Sequence, residues 1–249
     1  MLEGLGKPVV LTGSMIPLCE PFNDARRNLI ASVIFASTLE LCEVSIFFND
    51  RLLRGNRAIK IDADGLAAFD SPNFPALATI GARIDTAGRF LWRPQPVCRL
   101  RVHTSLDTRI VCVSLTPGFD DGAISAMIAH CPDLHGLVLR LYGTGNGPAA
   151  KAGFLQVLSD AIERGILVVA ATQCPRGAVS LSTYEVGRAL LQLGVISAID
   201  MTTEACVTKI AYLYGRGLRG AALRDAMAED LRGEVTFRPQ EQPSLLERL

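Results

Sequence analysis

The sequence predicts an α/β fold in which a doubly wound, mostly parallel sheet carries helices on both faces. From residue 109 onward, short apolar runs rich in β-branched residues alternate with stretches of helical periodicity. Such alternation implies parallel strands joined by right-handed helical crossovers. Of the 249 residues, 49% are hydrophobic and 20% are charged, which suits a sheet buried on both faces better than an amphipathic bundle.

The front part of the chain predicts two strands and one helix. Residues 8–12, PVVLT, form a short apolar run closed by a glycine, and residues 44–48, VSIFF, form another, so both are expected to be buried strands. Between them, Asn23 and Asp24 can cap a helix that runs to about Leu39. The expected apolar face of this helix comprises Leu29, Val33 and Ile34.

The polar stretch 49–65 is expected to be a long loop, and loops of this size are usually functional or mobile. Within it, Lys60 follows three arginines and precedes two aspartates. Nearby positive charge and partial burial both lower the pKa of a lysine side chain in general, and a neutral lysine can act as a general base. The alternative interpretation is a solvated loop whose charges pair at the surface.

A stretch with several prolines divides the chain. Residues 70–108 are expected to be irregular, with a boundary between two domains around 85–107. Beyond it the pattern becomes regular. Strands are expected at 109–115, 136–142 and 166–172, and helices at about 120–130, 150–164, 183–193, 203–214 and 219–231.

Two turns in the second half follow predicted strands, where open α/β folds place their ligands. The first, GTGNGP at 143–148, resembles a nucleotide-binding loop only weakly, because Pro148 breaks the GxGxxG pattern and no Gly-Lys-Ser/Thr follows. The alternative is a tight turn that needs positive φ values. The second, TQCPRG at 172–177, places Cys174 where it can line a pocket, unless it is a small buried thiol.

Composition and motifs exclude several classes of protein. Twenty-five basic and 25 acidic residues cancel and the isoelectric point is near 6.8, so no nucleic-acid partner is expected. No apolar run reaches the ~20 residues of a membrane span, and the opening MLEGLGKPVV is unlike a secretory signal. Seven widely spaced cysteines predict free thiols in a reducing cytoplasm. No zinc site is expected, since CxxC and HExxH are absent, and no other metal or cofactor is expected. A GxSxG elbow, which would mark a serine nucleophile, is absent as well.

Seven segments carry a family resemblance in their order and spacing. They are LGKPVVLTGSMIPL (5–18), NDARRNL (23–29), EVSIFFNDRLLRGNRAIKIDADGLAAFDSPNFPAL (43–77), LRLYGTGNGP (139–148), RGILVVAATQCPRGAV (164–179), GVISAIDMTTEACVTKIAYL (194–213) and DLRGEVT (230–236). Together they resemble the asparaginase/glutaminase family, most closely its cytosolic type I L-asparaginases. The resemblance extends from the first residues to about 236.

The resemblance implies hydrolysis of the side-chain amide of L-asparagine to L-aspartate and ammonia. In the family, a threonine in a TGGTI-type motif is the nucleophile. A second threonine, in a HGTDT-type motif, works with its neighbouring aspartate and with a lysine in an RGNR-x-x-K motif, which here ends at Lys60. Neither threonine motif occurs in the 249 residues. Lys60 is then the one relay residue they supply, and negligible asparaginase activity is expected from them alone.

The resemblance also implies a second, regulatory asparagine site. Its matching positions here are Arg140, Asn146, Thr172 and Cys174, and Arg140 can clamp a carboxylate with two parallel hydrogen bonds. Relatives contribute a threonine hydroxyl from the residue before the lysine, where this chain has Ile59. Family members assemble as homodimers or homotetramers, so the same is expected of a full-length form of this protein.

The domain organisation implied is residues 1–84 as the rear part of an N-terminal domain, 85–107 as a linker, 108–238 as the C-terminal domain and 239–249 as an unrelated tail. Both domains are expected to have Rossmann-like or flavodoxin-like parallel sheets, the first of them incomplete. The strand at 8–12 is then left with an unpaired edge and an uncovered apolar face. A start codon assigned too late, a decayed gene fragment or a genuinely short protein would each produce such a chain.

Two functions follow from these expectations. The first is an L-asparaginase-type amidohydrolase that needs the missing threonines. The second is a catalytically dead module of the same fold that senses asparagine through Arg140 and its neighbours. A nucleotide-binding oxidoreductase would rest on GTGNGP alone, and no acidic residue follows that loop at the distance needed to hold a ribose.

Overall fold

The computed structural model describes residues 1–93, 99–148 and 152–236. The expected tail 239–249 and Cys98 lie outside these residues. Within these residues, the front part contains nine strands and one α-helix. They are β1 Leu2–Glu3, β2 Val9–Thr12, α1 Ala25–Thr38, β3 Val44–Phe48, β4 Arg51–Arg54, β5 Ile59–Lys60, β6 Phe69–Asp70, β7 Ala78–Ile80, β8 Ile84–Thr86 and β9 Arg101–Val102.

The front sheet has five strands in the order β2-β3-β4-β7-β8. Only β2 and β3 are parallel, and the remaining neighbours are antiparallel. The predicted strands at 8–12 and 44–48 and the helix between them are confirmed. The sheet is mixed rather than wholly parallel, because β4, β7 and β8 join it in antiparallel pairs. Strand β4 lies in the stretch expected to be a long loop, and β7 and β8 lie in the region expected to be irregular.

The expectation of a long loop at 49–65 is wrong. Asn49 and Asp50 have φ values of 44° and 65°, and they form a two-residue hairpin connection, since Phe48 pairs with Arg51. Hairpin turns of this length need left-handed residues, and Asn and Asp tolerate that conformation better than most. The chain therefore reverses at once and enters the sheet as β4, where Leu52 and Leu53 are buried.

The predicted apolar face of α1 is not its buried face. Leu29 and Val33 are 52% and 60% exposed, and the neighbouring Ile30 is 54% exposed. The helix packs on the sheet instead through Ala31 and Phe35, whose ring lies 5.3 Å from that of Phe47. Strand β2 lies at the edge of its sheet and its Leu11 is 53% exposed. The expected exposed edge and apolar face are therefore present.

The second part contains four strands and five helices among the described residues. They are β10 Ile110–Ser114, α2 Asp121–His130, β11 Gly136–Leu141, α3 Ala152–Glu163, β12 Leu167–Thr172, α4 Glu185–Leu193, β13 Ile196–Ser197, α5 Thr203–Gly215 and α6 Gly220–Ala228. All four strands pair in parallel, in the order β10-β11-β12-β13.

This second sheet is covered on both faces, as predicted. Side chains of β11 alternate, so that Leu137, Leu139 and Leu141 face one core while Val138 faces the other. The first core also contains Ile124 and Ile128 of α2, Phe154 and Leu158 of α3, and Leu190 of α4. The second contains Cys206, Ile210 and Leu213 of α5 and Leu223 and Met227 of α6. No helix in the described part of the chain is long and apolar enough to cross a membrane.

Candidate functional site

Lys60 lies on a small hairpin of its own. Strands β5 and β6 pair only with each other, and Lys60 lies opposite Phe69. The Phe69 ring stands 5.1 Å from the ring of Phe48, the last residue of β3, so the hairpin rests on the carboxyl end of the front sheet. The Lys60 side chain is exposed, with its Nζ 6.0 Å from the Phe69 ring centroid. The partial burial expected for it is not observed.

The arginines before Lys60 are each neutralised by a carboxylate. Arg51 Nη1 lies 2.7 Å from Asp70 Oδ1, Arg54 pairs with Glu43, and Arg57 pairs with an aspartate of the second unit, described below. Arg54 and Arg57 are buried. The alternative of a solvated loop with surface pairs is therefore wrong for these two, because both guanidinium groups lie in the interior between packed elements.

An acidic residue accompanies Lys60 on the same hairpin. Asp62 Oδ1 accepts hydrogen bonds from the backbone N–H groups of Asp64, at 2.8 Å, and Gly65, at 3.0 Å. These two bonds, and to a smaller degree the charge of Lys60, hold the pKa of Asp62 below its ordinary value. The tip of the hairpin thus combines an ammonium group with an ionised carboxylate.

A second polar cluster lies at the carboxyl ends of β11 and β12. Thr172 Oγ1 donates a 2.6 Å hydrogen bond to the carbonyl of Gly143 and accepts one of 3.0 Å from the N–H of Cys174. Cys174 is exposed, which rules out the buried-thiol alternative. Asn146 bridges to Tyr142 through its backbone. The TQCPRG and GTGNGP turns are therefore joined side by side.

The GTGNGP segment is a tight turn, as one interpretation of it predicted. Gly143 and Gly145 have φ values of 51° and 126°, in the region that side chains with a Cβ rarely adopt. The backbone N–H groups of Gly145 and Asn146 donate to the Tyr142 carbonyl, at 3.1 and 2.9 Å, so they turn back on their own chain.

Arg140 is the charged member of this cluster. Its Nη1 donates to Ser114 Oγ at 3.1 Å and its Nη2 to the carbonyl of Gln173 at 3.4 Å. Its Nε is buried and has no hydrogen-bond partner. An unpaired buried donor of this kind is costly, so a ligand acceptor at this position would be favoured. The structure places Arg140, Asn146, Thr172 and Cys174 at one edge of the second sheet.

Backbone and side-chain bonds connect the two clusters. Asn73, from the front unit, accepts from the Gly177 N–H at 2.8 Å and donates to the Gly177 carbonyl at 3.0 Å. Arg176 lies 3.7 Å from Asp70, which pairs across the hairpin with Ile59. The turn that carries Cys174 is therefore fastened to the unit that carries Lys60.

Arg57 of the front unit reaches the second unit as well, through the Asp200 carboxylate and the Glu234 backbone carbonyl. Sequence reasoning missed the partners that make this junction. Asn73, Asp200 and Glu234 were not singled out as site residues, although the DLRGEVT and AIDMTTE segments that hold the last two are part of the family resemblance. Asp200 is a lone aspartate directly after an apolar run, and this pattern could have identified it. Among the described residues, no group of three or more His, Cys, Asp or Glu side chains is arranged to hold a metal ion.

Comparisons with known proteins agree on one family. Residues 1–91 match the model of the asparaginase N-terminal domain, and residues 109–227 match that of the glutaminase/asparaginase C-terminal domain. L-asparaginase 1 of Escherichia coli strain K12 is 43% identical over 238 residues, which are 95% of this chain and 69% of that protein. The human 60 kDa lysophospholipase is 40% identical over 237 residues, but these cover only 41% of its length.

A solved structure gives the same result for the fold. The crystal structure of L-asparaginase I from Vibrio cholerae superposes with a TM-score of 0.88 and 37% sequence identity, covering 95% of this chain and 70% of that one. The match includes both sheets, since it extends over nearly the whole chain. This chain therefore belongs to the glutaminase/asparaginase family of amidohydrolases.

Proposed function

We propose that these 249 residues supply the relay lysine and the rear domain of an L-asparaginase, which hydrolyses L-asparagine to L-aspartate and ammonia. The observation that carries the proposal is the RGNRAIK segment. Its last two residues form β5 of a hairpin that rests on the carboxyl edge of the front sheet, where parallel strands present their functional side chains, and Lys60 is accessible there.

In this proposal Lys60 moves protons and does not attack the amide. A lysine amine can take the proton of a threonine hydroxyl in a relay, and the ammonium form can return it. The attack itself needs a threonine of the TGGTI or HGTDT type, and the 249 residues contain neither string. Because nucleophile and relay residues act as a unit, Lys60 alone gives no useful rate.

The test compares the chain by itself with a fusion. The fusion joins it to the part of E. coli L-asparaginase 1 that it does not cover, and ammonia release from asparagine is measured for both. The chain alone should stay at background and the fusion should be active. Lys60→Met in the fusion should lower kcat by about 10²- to 10⁴-fold, the usual contribution of general acid–base catalysis. Lys7→Met should leave it unchanged.

A folded but inactive fusion would contradict the proposal, as would full activity of the Lys60→Met fusion. Ammonia release by the 249-residue chain alone would show that its nucleophile is not one of the two family threonines.

A second function is favoured by one observation, the unpaired buried Nε of Arg140. We propose that the cluster of Arg140, Asn146, Thr172 and Cys174 binds the carboxylate of free asparagine, so that the chain senses it without hydrolysis. Calorimetry with asparagine should show binding to the unchanged chain and none to Arg140→Ala. Arg188→Ala, which changes an exposed side chain of α4, is the control. Absence of heat from the unchanged chain would rule this function out.

We further propose that the assembled protein is a homodimer or homotetramer that works in the cytoplasm. Five free thiols, those of Cys19, Cys112, Cys131, Cys174 and Cys206, support a reducing compartment. Sedimentation velocity of the fusion tests the assembly. A monomer at micromolar concentration would contradict it.

A further inference from the structure

Arg57 is the most fully bonded side chain at the junction between the two units. It is 1% exposed. Its Nη2 lies 2.7 Å from Asp200 Oδ2, and its Nη1 lies 3.2 Å from Asp200 Oδ1. It also donates to the carbonyls of Glu234, at 2.6 Å, and Asn73, at 3.2 Å, and to Thr236 Oγ1 at 2.8 Å. The guanidinium group thus joins one front residue to three residues of the second unit.

Arg57 lies close to Lys60 in the chain, so its bonds can fix the position of the lysine. Only Ala58 and Ile59 separate the two, and β5 forms no ladder with the five-stranded sheet. The direction of the Lys60 hairpin therefore depends on side-chain attachments at its base. Arg57 fixes the chain that enters β5, and Arg51 fixes β6 through Asp70.

The partner of Arg57 is itself held in place. Asp200 follows Ile199, whose φ of 56° is a strained conformation for a β-branched residue. Such strain persists only where the surroundings enforce it, and it is common at functional sites. The backbone N–H of Thr236 donates to Asp200 Oδ1 at 2.8 Å, so both carboxylate oxygens are occupied. Asp200 is therefore a fixed anchor on the second unit.

We propose that Arg57 is a positioning residue for Lys60, which through its two-pronged bond to Asp200 fixes the Lys60 hairpin against the second unit. The inference rests on the proposed function only in taking Lys60 as the relay residue. In this proposal Arg57 and Asp200 act on catalysis only by holding the hairpin that carries Lys60, since neither reaches the hairpin tip.

The kinetic test uses the fusion described above and compares Arg57→Lys with Arg54→Lys. Arg54 is the matched control, because it is also buried and its ion pair is with Glu43 of the front unit. Its contact with the second unit is a long one, 3.5 Å from Nη1 to the Gly233 carbonyl, whereas Arg57 forms a two-pronged ion pair there. Arg57→Lys should lower kcat by about 10- to 100-fold with KM nearly unchanged, since a displacement of about 1 Å can cost this much. Arg54→Lys should lower the melting temperature by about as much as Arg57→Lys does, but should leave kcat near that of the unchanged fusion. Equal loss of kcat in both, or in neither, would overturn the proposal.

A second readout does not depend on activity. The chain has only four lysines, Lys7, Lys60, Lys151 and Lys209, so reductive methylation with a ¹³C label gives at most four lysine methyl signals. The Lys60 signal is identified by its loss in Lys60→Arg. Here the two arginines are changed to glutamine, which adds no methylatable amine. In the 249-residue chain, Arg57→Gln should shift the Lys60 signal and Arg54→Gln should not. An unmoved signal in Arg57→Gln overturns the positioning role, whereas an inactive unchanged fusion overturns only the proposed function.

Discussion

Arg57 and Asp200 stand 143 positions apart in the sequence and form a buried ion pair with a 2.7 Å contact between Nη2 and Oδ2. Burial penalises both charges, and the pair is tolerated because hydrogen bonds occupy its remaining donors and acceptors. The pair joins the front and second units of the chain. Replacing one partner alone should cost about 3–5 kcal/mol, since it leaves the other charge buried and unpaired.

The stability of the protein should fall in acid partly through Asp200. Burial acts to raise the pKa of this carboxyl, but hydrogen bonds from Arg57 and Thr236 outweigh it and hold the pKa below the ordinary 3.8. A depressed folded-state pKa contributes stability above the unfolded value, and that stability is lost as the pH falls through the folded value. The free energy of unfolding, measured by urea denaturation, should therefore fall less steeply between about pH 5 and pH 3 for Asp200→Asn than for the unchanged chain. Parallel curves would contradict the assignment.

Gly187 in α4 should not tolerate a side chain. A Cβ there would overlap the carbonyl oxygen of Leu181, a backbone atom that cannot turn aside. Gly187→Ala should destabilise the protein by about 1–3 kcal/mol, although the same change in an open helix stabilises by about 0.5–1 kcal/mol. Gly122→Ala in α2 is the control, because the atoms nearest its Cβ belong to the movable Asp120 carboxylate. Thermal unfolding of both variants measures the difference, and equal shifts would refute the steric argument.

The β3–β4 turn should distinguish glycine from alanine at position 50. Asp50 has a φ of 65°, and its carboxylate forms an exposed 2.8 Å ion pair with Arg27. Asp50→Gly and Asp50→Ala both remove that pair, but only glycine adopts the left-handed conformation at no cost. The glycine variant should be more stable than the alanine variant by about 1 kcal/mol. Equilibrium denaturation of the two decides, and equal midpoints would show that the turn relaxes.

The exposed face of α1 should make the 249-residue chain self-associate. Leu29 and Val33 are more than half exposed beside the edge strand β2, and apolar patches next to unpaired edges associate. The double change Leu29→Lys, Val33→Glu should reduce association in sedimentation velocity without lowering the melting temperature. The matching double change at α4, Leu191→Lys with Tyr184→Glu at the residue before the helix, should leave association nearly unchanged. Association that responds to neither change would place the contact elsewhere.

Sequence reasoning predicted the second unit well because its strands carry a strong local signal. Strands β10, β11 and β12 are largely apolar runs, and each lies within its predicted range. The two residues of β13 were not predicted, since so short a strand has no periodicity to detect. Strands β4, β7 and β8 were missed for a related reason. They are short and pair antiparallel, and within the described residues 51–86 no α-helix lies between them to mark the crossover pattern.

The candidate site residues could be predicted from local motifs, whereas their bonding partners could not. Lys60, Arg140, Asn146, Thr172 and Cys174 were named from motifs, and the structure places them on the hairpin or at strand ends where ligands can approach. Their neighbours could not be named. Which carboxylate meets Arg57, and which side chain holds the Gly177 turn, depends on contacts between segments more than 100 positions apart.

By itself the sequence determined the family and the parallel second sheet, and its motifs supplied Lys60 and Arg140 as the candidates for the proposed chemistry. These features depend on local patterns of residues. The tertiary structure alone decided that Arg54 and Arg57 are buried, that Lys60 is exposed on a separate hairpin, and that Asp200 is the carboxylate that pairs with Arg57. Charge placement of this kind is decided by how the two units pack. Burial and pairing of a charge depend on neighbours in space, which neighbours in sequence do not specify.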